Sequence, residues 1–190
     1  MKYGEEAVYA LLDLLNEADV PYMMVGSFSS NAYGEPRATK DADFVVDLDP
    51  EIRQQIIAQL PDAFEIDQQA SFETVTGHTR QILKVPSIPF EIELFDISNE
   101  PFDQSRFQRR QKTSLEGHAV WLPTAEDVVV QKLRWAKLGK REKDILDAVS
   151  ILRVREDRLD FDYIRTWCDE LGIQETLEQA LSRAHADPAS

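Results

Sequence analysis

Two aspartates, Asp41 and Asp43, stand two apart in the run Asp41-Ala42-Asp43-Phe44-Val45-Val46. In an extended strand the period of two sends both carboxylates to one face, roughly 6.5–7 Å apart at the backbone. Like charges so placed repel, which disfavours folding unless one acid keeps its proton or a cation sits between them. Hard oxygen ligands of this kind suit Mg²⁺ or Mn²⁺. The spacing also serves two metals about 3.5–4 Å apart, the pair that clamps attacking and leaving oxygens in a phosphoryl-type displacement. An ordinary solvated strand face carries the same pattern, so the pair alone leaves both readings open.

Glu91 and Glu93 alternate with Ile92 and Leu94, again on one face of a strand. If the two strands are neighbours, Glu93 or Glu91 can complete a metal site; taken singly, each is an ordinary surface acid. Gly26-Ser27 follows a short apolar run and precedes a helix, so it offers a tight turn, backbone N–H groups and a hydroxyl to an anion. It has neither the P-loop spacing nor the dinucleotide fingerprint, and its weight comes from preceding the aspartate strand at a distance that permits a βαβ-like hairpin around a phosphate. Among the cations of Lys132, Arg134, Lys137, Lys140, Arg141 and Lys143, most read as a solvated helix face. Lys132, flanked by Val129, Val130 and Leu133, is the one expected to be partly enclosed, where an ammonium can meet a triphosphate. His78, His118 and His185 lack ligand-like spacing, and the lone Cys168 reads as a small core residue.

The elements that position these groups follow from periodicity. Val8, Leu11, Leu12 and Leu15 predict an amphipathic helix over Glu5–Ala18. Tyr22–Val25 is a strand, Phe28–Tyr33 a short helix, and Asp41–Leu48 a strand with one core face and one acidic face. Helices are expected over Glu51–Leu60 and Gln68–Thr76, and strands over Thr79–Val85, Phe90–Phe95 and Ala119–Leu122. Thr124 with Asp127 matches a helix N-cap, that helix running to Gly139. Lys140–Leu152, Phe161–Leu171 and Glu175–Ala184 are also helical. The expected architecture is thus α/β (α+β), with a core over residues 1–122 and a helical part over 123–190 packed on it.

At 190 residues, 43% hydrophobic and 29% charged, the chain has the composition of a folded protein with one good core. Its amino terminus mixes acids among apolar residues, unlike a secretory signal or a membrane span, so a cytoplasmic location is expected. A net charge of −14 opposes tight, non-specific nucleic-acid binding, and any such contact must be local.

The run MMVGSFSSNAYGEPRATKDADFVV resembles the polymerase-β-like nucleotidyltransferase superfamily: an apolar strand, Gly-Gly or Gly-Ser, a short helix, then Asp-x-Asp on the next strand. Within it the chain is most similar to AbiEii-type nucleotidyltransferase-like proteins, bacterial toxins among them. There R-x-T-x-D-x-D, a strand like FEIELF, a helix like TAEDVVVQKLRW, and segments like REKDILDAVSIL and RLDFDYIRTW occur in this order. The resemblance implies that Asp41, Asp43 and Glu93 are catalytic carboxylates and ligands for Mg²⁺ or Mn²⁺. It implies likewise that Gly26 and Ser27 contact phosphate and that Lys132 contacts nucleotide or substrate, with Arg37 offsetting phosphate charge. Glu93 departs from the usual aspartate by one methylene. The implied reaction moves a nucleoside monophosphate from a nucleoside triphosphate to a hydroxyl on RNA, protein or a small molecule, as a stand-alone enzyme or as a toxin with an antitoxin partner. The rival is a catalytically silent nucleotide-binding or protein-interaction module on the same fold.

Overall fold

The computed structural model describes residues 4–67, 71–73 and 78–186. The fold is mixed α/β, and the chain divides into two compact units: Met1–Phe28 with Ala38–Pro123, and Ser29–Arg37 with Thr124–Ser190.

In the first unit, helix α1 (Gly4–Glu17) buries Ala7, Val8, Leu11, Leu12 and Leu15 completely, the stripe that its sequence period lays along one face. Strand β1 (Tyr22–Val25) leads into α2 (Gly26–Tyr33), followed by β2 (Asp41–Val46) and α3 (Pro50–Gln59). Next come β3 (Glu65–Ile66), β4 (Ser71–Glu73), β5 (His78–Lys84) and β6 (Glu91–Asp96). The sheet runs β1-β2-β6-β5-β3, with β4 also paired to β5; β2 and β6 are parallel and the other pairs antiparallel. Because β1 and β2 are antiparallel, the helix between them does not make a βαβ unit. The helix expected over Gln68–Thr76 is contradicted at Ser71–Glu73, where the backbone pairs with β5 as a strand; the remainder of that span lies outside the described residues. Val75 and Phe72 fit helical and strand patterns alike, and sheet pairing decides.

The two faces of the sheet differ. Tyr22, Met24, Ala42, Phe44, Val46, Ile92 and Leu94 join α1 in the main core. On the opposite face the acids occupy one end of β2 and β6, while Met23, Val45 and Phe107 form a small second cluster toward the other end. Phe107 comes from α4 (Pro101–Gln108), which sequence periodicity did not indicate, since only Phe102 and Phe107 among its eight residues are apolar. The helix instead buries an internal ion pair, Asp103 with Arg106 at 2.8 Å. Strand β7 (Gln111–Leu115) was equally silent because it is almost wholly exposed and pairs only with β8 (His118–Leu122). The turn between them puts Glu116 and Gly117 at positive φ, 49° and 93°, as a two-residue hairpin loop demands.

The second unit is helical: α5 (Ala125–Gly139), α6 (Glu142–Arg155), α7 (Phe161–Glu170) and α8 (Gln174–His185). Thr124 caps α5 by accepting from the Asp127 N–H. Cys168 is fully buried in α7 and burial pushes its thiol up to about 12, so it serves packing, not nucleophilic chemistry. Among the described residues, no helix is long and apolar enough to cross a membrane.

Candidate active site

The register of β1, β2 and β6 builds the first group. Asp41 lies opposite Glu91 and Asp43 opposite Glu93 on neighbouring parallel strands, and Val25 at the end of β1 lies opposite Asp43. Strands about 4.8 Å apart bring these four acids onto one patch of one sheet face. Ala42 and Phe44, which alternate with the aspartates, are buried at 0%, so core burial fixes which way the carboxylates point. Immediately after β1, Gly26 adopts φ +61°, and a Cβ built on it would lie 1.8 Å from Asp43 Oδ2 and 2.8 Å from its Cγ. Only a glycine both takes that conformation freely and leaves room for the carboxylate. Ser27 follows in the first turn of α2 and is 4% exposed.

Each of two acids already has a protein partner. The Thr39 hydroxyl hydrogen-bonds Asp41 Oδ1. Arg80, on β5, donates from Nη1 to Glu93 Oε2 at 2.6 Å. The donor set of Asp41, Asp43 and Glu93 is all oxygen and suits a hard divalent cation. As the side chains stand, however, no group of three or more His, Cys, Asp or Glu converges as a metal site among the described residues. Glu91, on the same face as Glu93, lies one pair nearer the start of β6.

The other two expected site residues, Arg37 and Lys132, come together in the second unit on a pair of buried aspartates. Lys132, 7% exposed, places Nζ 3.0 Å from Asp144 Oδ1 and 2.8 Å from Asp147 Oδ2. Arg37 grips Asp147 with both prongs, Nε to Oδ1 and Nη2 to Oδ2, each at 2.8 Å. Asn31 holds Arg37 in place by donating to its carbonyl and accepting from its N–H. Arg141 Nε is 3.0 Å from Asp144 Oδ2 but is not aligned to donate, so that oxygen has an ion-pair neighbour and no hydrogen bond. Burial acts to raise the Asp147 carboxyl, yet the hydrogen bonds and charges of Arg37 and Lys132 together outweigh it and hold the group below the usual carboxylate range.

Asp144 and Asp147 were not singled out from the sequence, although a signal was present. They sit on the same helical stripe as Ala148 and Ile151, and an acid on an apolar stripe must find a cation. Asp127, fully buried, is a second such case. Thr124 donates to its Oδ2 at 2.8 Å and the Tyr163 hydroxyl to its Oδ1 at 2.6 Å, so the cap residue also ties α7 to α5.

Comparison with known proteins follows the same lines. A nucleotidyltransferase-like antigenic protein from Paracoccidioides brasiliensis has a similar structure, with 21% identity, 95% of this chain and 92% of that chain covered, and a TM-score of 0.61. The antibiotic-resistance factor ANT(2'')-Ia in solution gives a TM-score of 0.61 at 12% identity, covering 97% of this chain and all of that one. JHP933 from Helicobacter pylori gives 0.54 at 16% identity, covering 94% and 76%. At these identities the likeness is one of fold. No curated protein matches the sequence. Residues 15–188 match the family described as "Nucleotidyl transferase AbiEii toxin, Type IV TA system". A match over that span, on a chain whose fold is that of nucleotidyltransferases, makes this protein a member of the AbiEii nucleotidyltransferase family.

Proposed function

We propose that the chain transfers a nucleoside monophosphate from a nucleoside triphosphate to an acceptor hydroxyl, with Asp41 and Asp43 holding a divalent cation. The observation that carries this reading is the pairing of Asp43 with Glu93 beside a glycine that must lack a side chain for the Asp43 carboxylate to fit. When bound, Mg²⁺ or Mn²⁺ neutralises phosphate charge and polarises the reacting oxygens. Gly26 and Ser27 orient the phosphates at the first turn of α2. Glu93 draws the proton from the acceptor hydroxyl once its carboxylate leaves Arg80, which then remains close to the developing negative charge. Phosphoryl-type transfer asks for positioning and charge stabilisation more than covalent help, and carboxylates on a rigid sheet suit that demand. Arg37 and Lys132 are assigned to the nucleotide phosphates, their charge shared with Asp147 and, for Lys132, with Asp144 as well. In the family's toxin setting the protein acts against its own cell and an antitoxin opposes it.

The Arg80–Glu93 ion pair favours a second reading, a nucleotide-binding module that transfers nothing. One experiment separates the two. Each labelled nucleoside triphosphate is incubated with Mg²⁺, a cell extract and either the wild type or Asp41→Asn/Asp43→Asn. Label on a macromolecule or metabolite with the wild type alone supports transfer. Absence of label with every nucleotide, alongside a rise in melting temperature with Mg²⁺-nucleotide, sinks transfer in favour of the silent module. The double variant should be as stable as the wild type in EDTA or more so, because two like charges on one face have been removed.

A further inference from the structure

Cations are concentrated in one stretch of this acidic chain: Arg106, Arg109, Arg110 and Lys112. Arg106 is consumed by Asp103. Arg110 and Lys112, by contrast, make no ion pair among the described residues. Arg110 stacks its guanidinium 4.2 Å from the Phe107 ring centre and 5.1 Å from that of Trp121, and its buried Nε has no hydrogen-bond partner. Lys112 pairs with Trp121 across the β7-β8 hairpin, its Nζ 6.0 Å from the ring centre. At that distance a cation–π attraction is at its outer limit, so the ammonium is free to turn to a better partner. Arg110, Lys112 and Trp121 line a cleft of about 260 Å³, whose opposite wall includes Pro21 and the exposed Asp19. Asn16, also on the wall, is committed to the carbonyls of Leu12 and Ala119.

The cleft sits at the far end of β1 and β2 from the carboxylates. Pro21 in its wall accepts a hydrogen bond from Asp47 N–H, and Asp47 is the acid whose charge Arg110 senses. Asp47 is four residues beyond Asp43, about 13 Å along an extended strand. A polymeric acceptor with a charge on every unit spans that distance, whereas a small hydroxylated acceptor at the carboxylates would leave the cleft unfilled.

We propose that this cleft binds the phosphodiester backbone of a single-stranded nucleic acid whose hydroxyl end reaches the carboxylates, with Trp121 as the stacking surface for a base. Loosely placed cations beside an aromatic ring are the parts that sequence-tolerant single-strand binding uses. The exposed Asp19 on the far rim suits a base amino group or a ribose hydroxyl. The net charge of −14 keeps the interaction local and weak, so it contributes to acceptor choice and not to general nucleic-acid affinity. The proposal deepens the transfer reading by naming its acceptor class, and its test omits nucleotide and metal so that the two can fail separately.

An unstructured labelled RNA of about 12 nucleotides, a length within the usual single-strand site sizes, is titrated with wild type, Arg110→Gln/Lys112→Gln and Asp41→Asn/Asp43→Asn while anisotropy is followed. Two lost phosphate contacts should flatten the plot of log affinity against log salt by about 1.4, so the fall in affinity from about 50 to 200 mM salt shrinks roughly sevenfold. The aspartate variant should bind as the wild type does, or more tightly. Unchanged affinity and slope in Arg110→Gln/Lys112→Gln overturns the proposal, as does equal competition by a polyglutamate of matched charge, which would indicate an acidic protein segment instead. In Trp135→Phe/Trp167→Phe, Trp121 is the remaining tryptophan. Its emission should be quenched as RNA is added, and constant emission refutes the stacking role even if the cleft variant fails to fold.

Discussion

Replacing Gly26 by alanine tests the apposition on which the carboxylate site depends, and it does so without any assay of activity. The backbone at φ +61° costs an alanine about 1–2 kcal/mol. The new methyl would also fall 1.8 Å from Asp43 Oδ2, so the carboxylate must leave its rotamer. That displacement costs about 0.5–1.5 kcal/mol, while the stiffer unfolded chain returns about 0.4–1 kcal/mol. The net destabilisation expected of Gly26→Ala is therefore about 1–3 kcal/mol, read from urea unfolding at constant m. In an Asp43→Ala background the clash disappears and only the backbone cost remains, about 1 kcal/mol or less after the same correction. The double-mutant cycle should thus give a coupling energy of about 0.5–1.5 kcal/mol. Equal costs of Gly26→Ala in the two backgrounds would refute the contact, and with it the claim that this turn shapes the site. Transfer, where it occurs, should fall further in Gly26→Ala than the stability change accounts for, since the displaced group is a proposed ligand.

Three further outcomes are expected. Lys132→Met should destabilise by about 3–5 kcal/mol, the usual cost of stripping a buried pair of its partner, and adding Asp144→Asn to it should recover part of the loss in thermal melts; an additive pair would deny the contact. Because Asp147 is held below the usual carboxylate range, its contribution is complete above its unfolded value near 4 and is lost as pH falls through the lower, folded value. Asp147→Asn should accordingly be less stable at neutral pH but show a shallower decline below about pH 4, and an unchanged acid limb would remove Asp147 as its source. Glu93→Gln should abolish transfer while Glu91→Gln retains most of it, because Glu93 is the acid level with Asp43; the opposite result would shift the site by one pair along β6.

What the sequence revealed depended on how strongly burial patterned each segment. Strand β1 and helices α1 and α5 were legible because their apolar residues follow one period with clear ends, such as the Thr124 cap. The alternation of Asp41 and Asp43 with Ala42 and Phe44 likewise announced which face carries acid. Strand β7 could not be read, since an exposed edge strand has no apolar alternation to display. Helix α4 was hidden because its buried surface is two phenylalanines and an internal ion pair. Lys132 was expected to be enclosed, but the reason lay in Asp144 and Asp147, which only a helix packed beside α5 brings within 3.0 Å. Long-range pairing of this kind leaves no local period. The same holds for Arg80 on Glu93, where two strands far apart in sequence meet by register alone.

The sheet face that bears the acids also explains why so acidic a chain tolerates them at close quarters. Asp41, Asp43, Glu91 and Glu93 stand at the end of β2 and β6 where no core cluster covers them, and each is only partly buried. Further along the same face Met23, Val45 and Phe107 take over, supplying the burial that the acid end forgoes. Phe107 then holds Arg110, so cation, apolar cluster and carboxylates follow one another along a single pair of strands. A uniformly acidic face would be repelled by any phosphate chain, and a uniformly apolar one would offer no ligands. Strand register sets the carboxylates at one end, α4 caps the middle, and the β7-β8 hairpin brings the cations to the other, each by an element the others do not need in order to fold. Loss of Arg110 and Lys112 should therefore leave the carboxylate end intact, and it is this independence that lets acceptor binding and chemistry be separated by substitution.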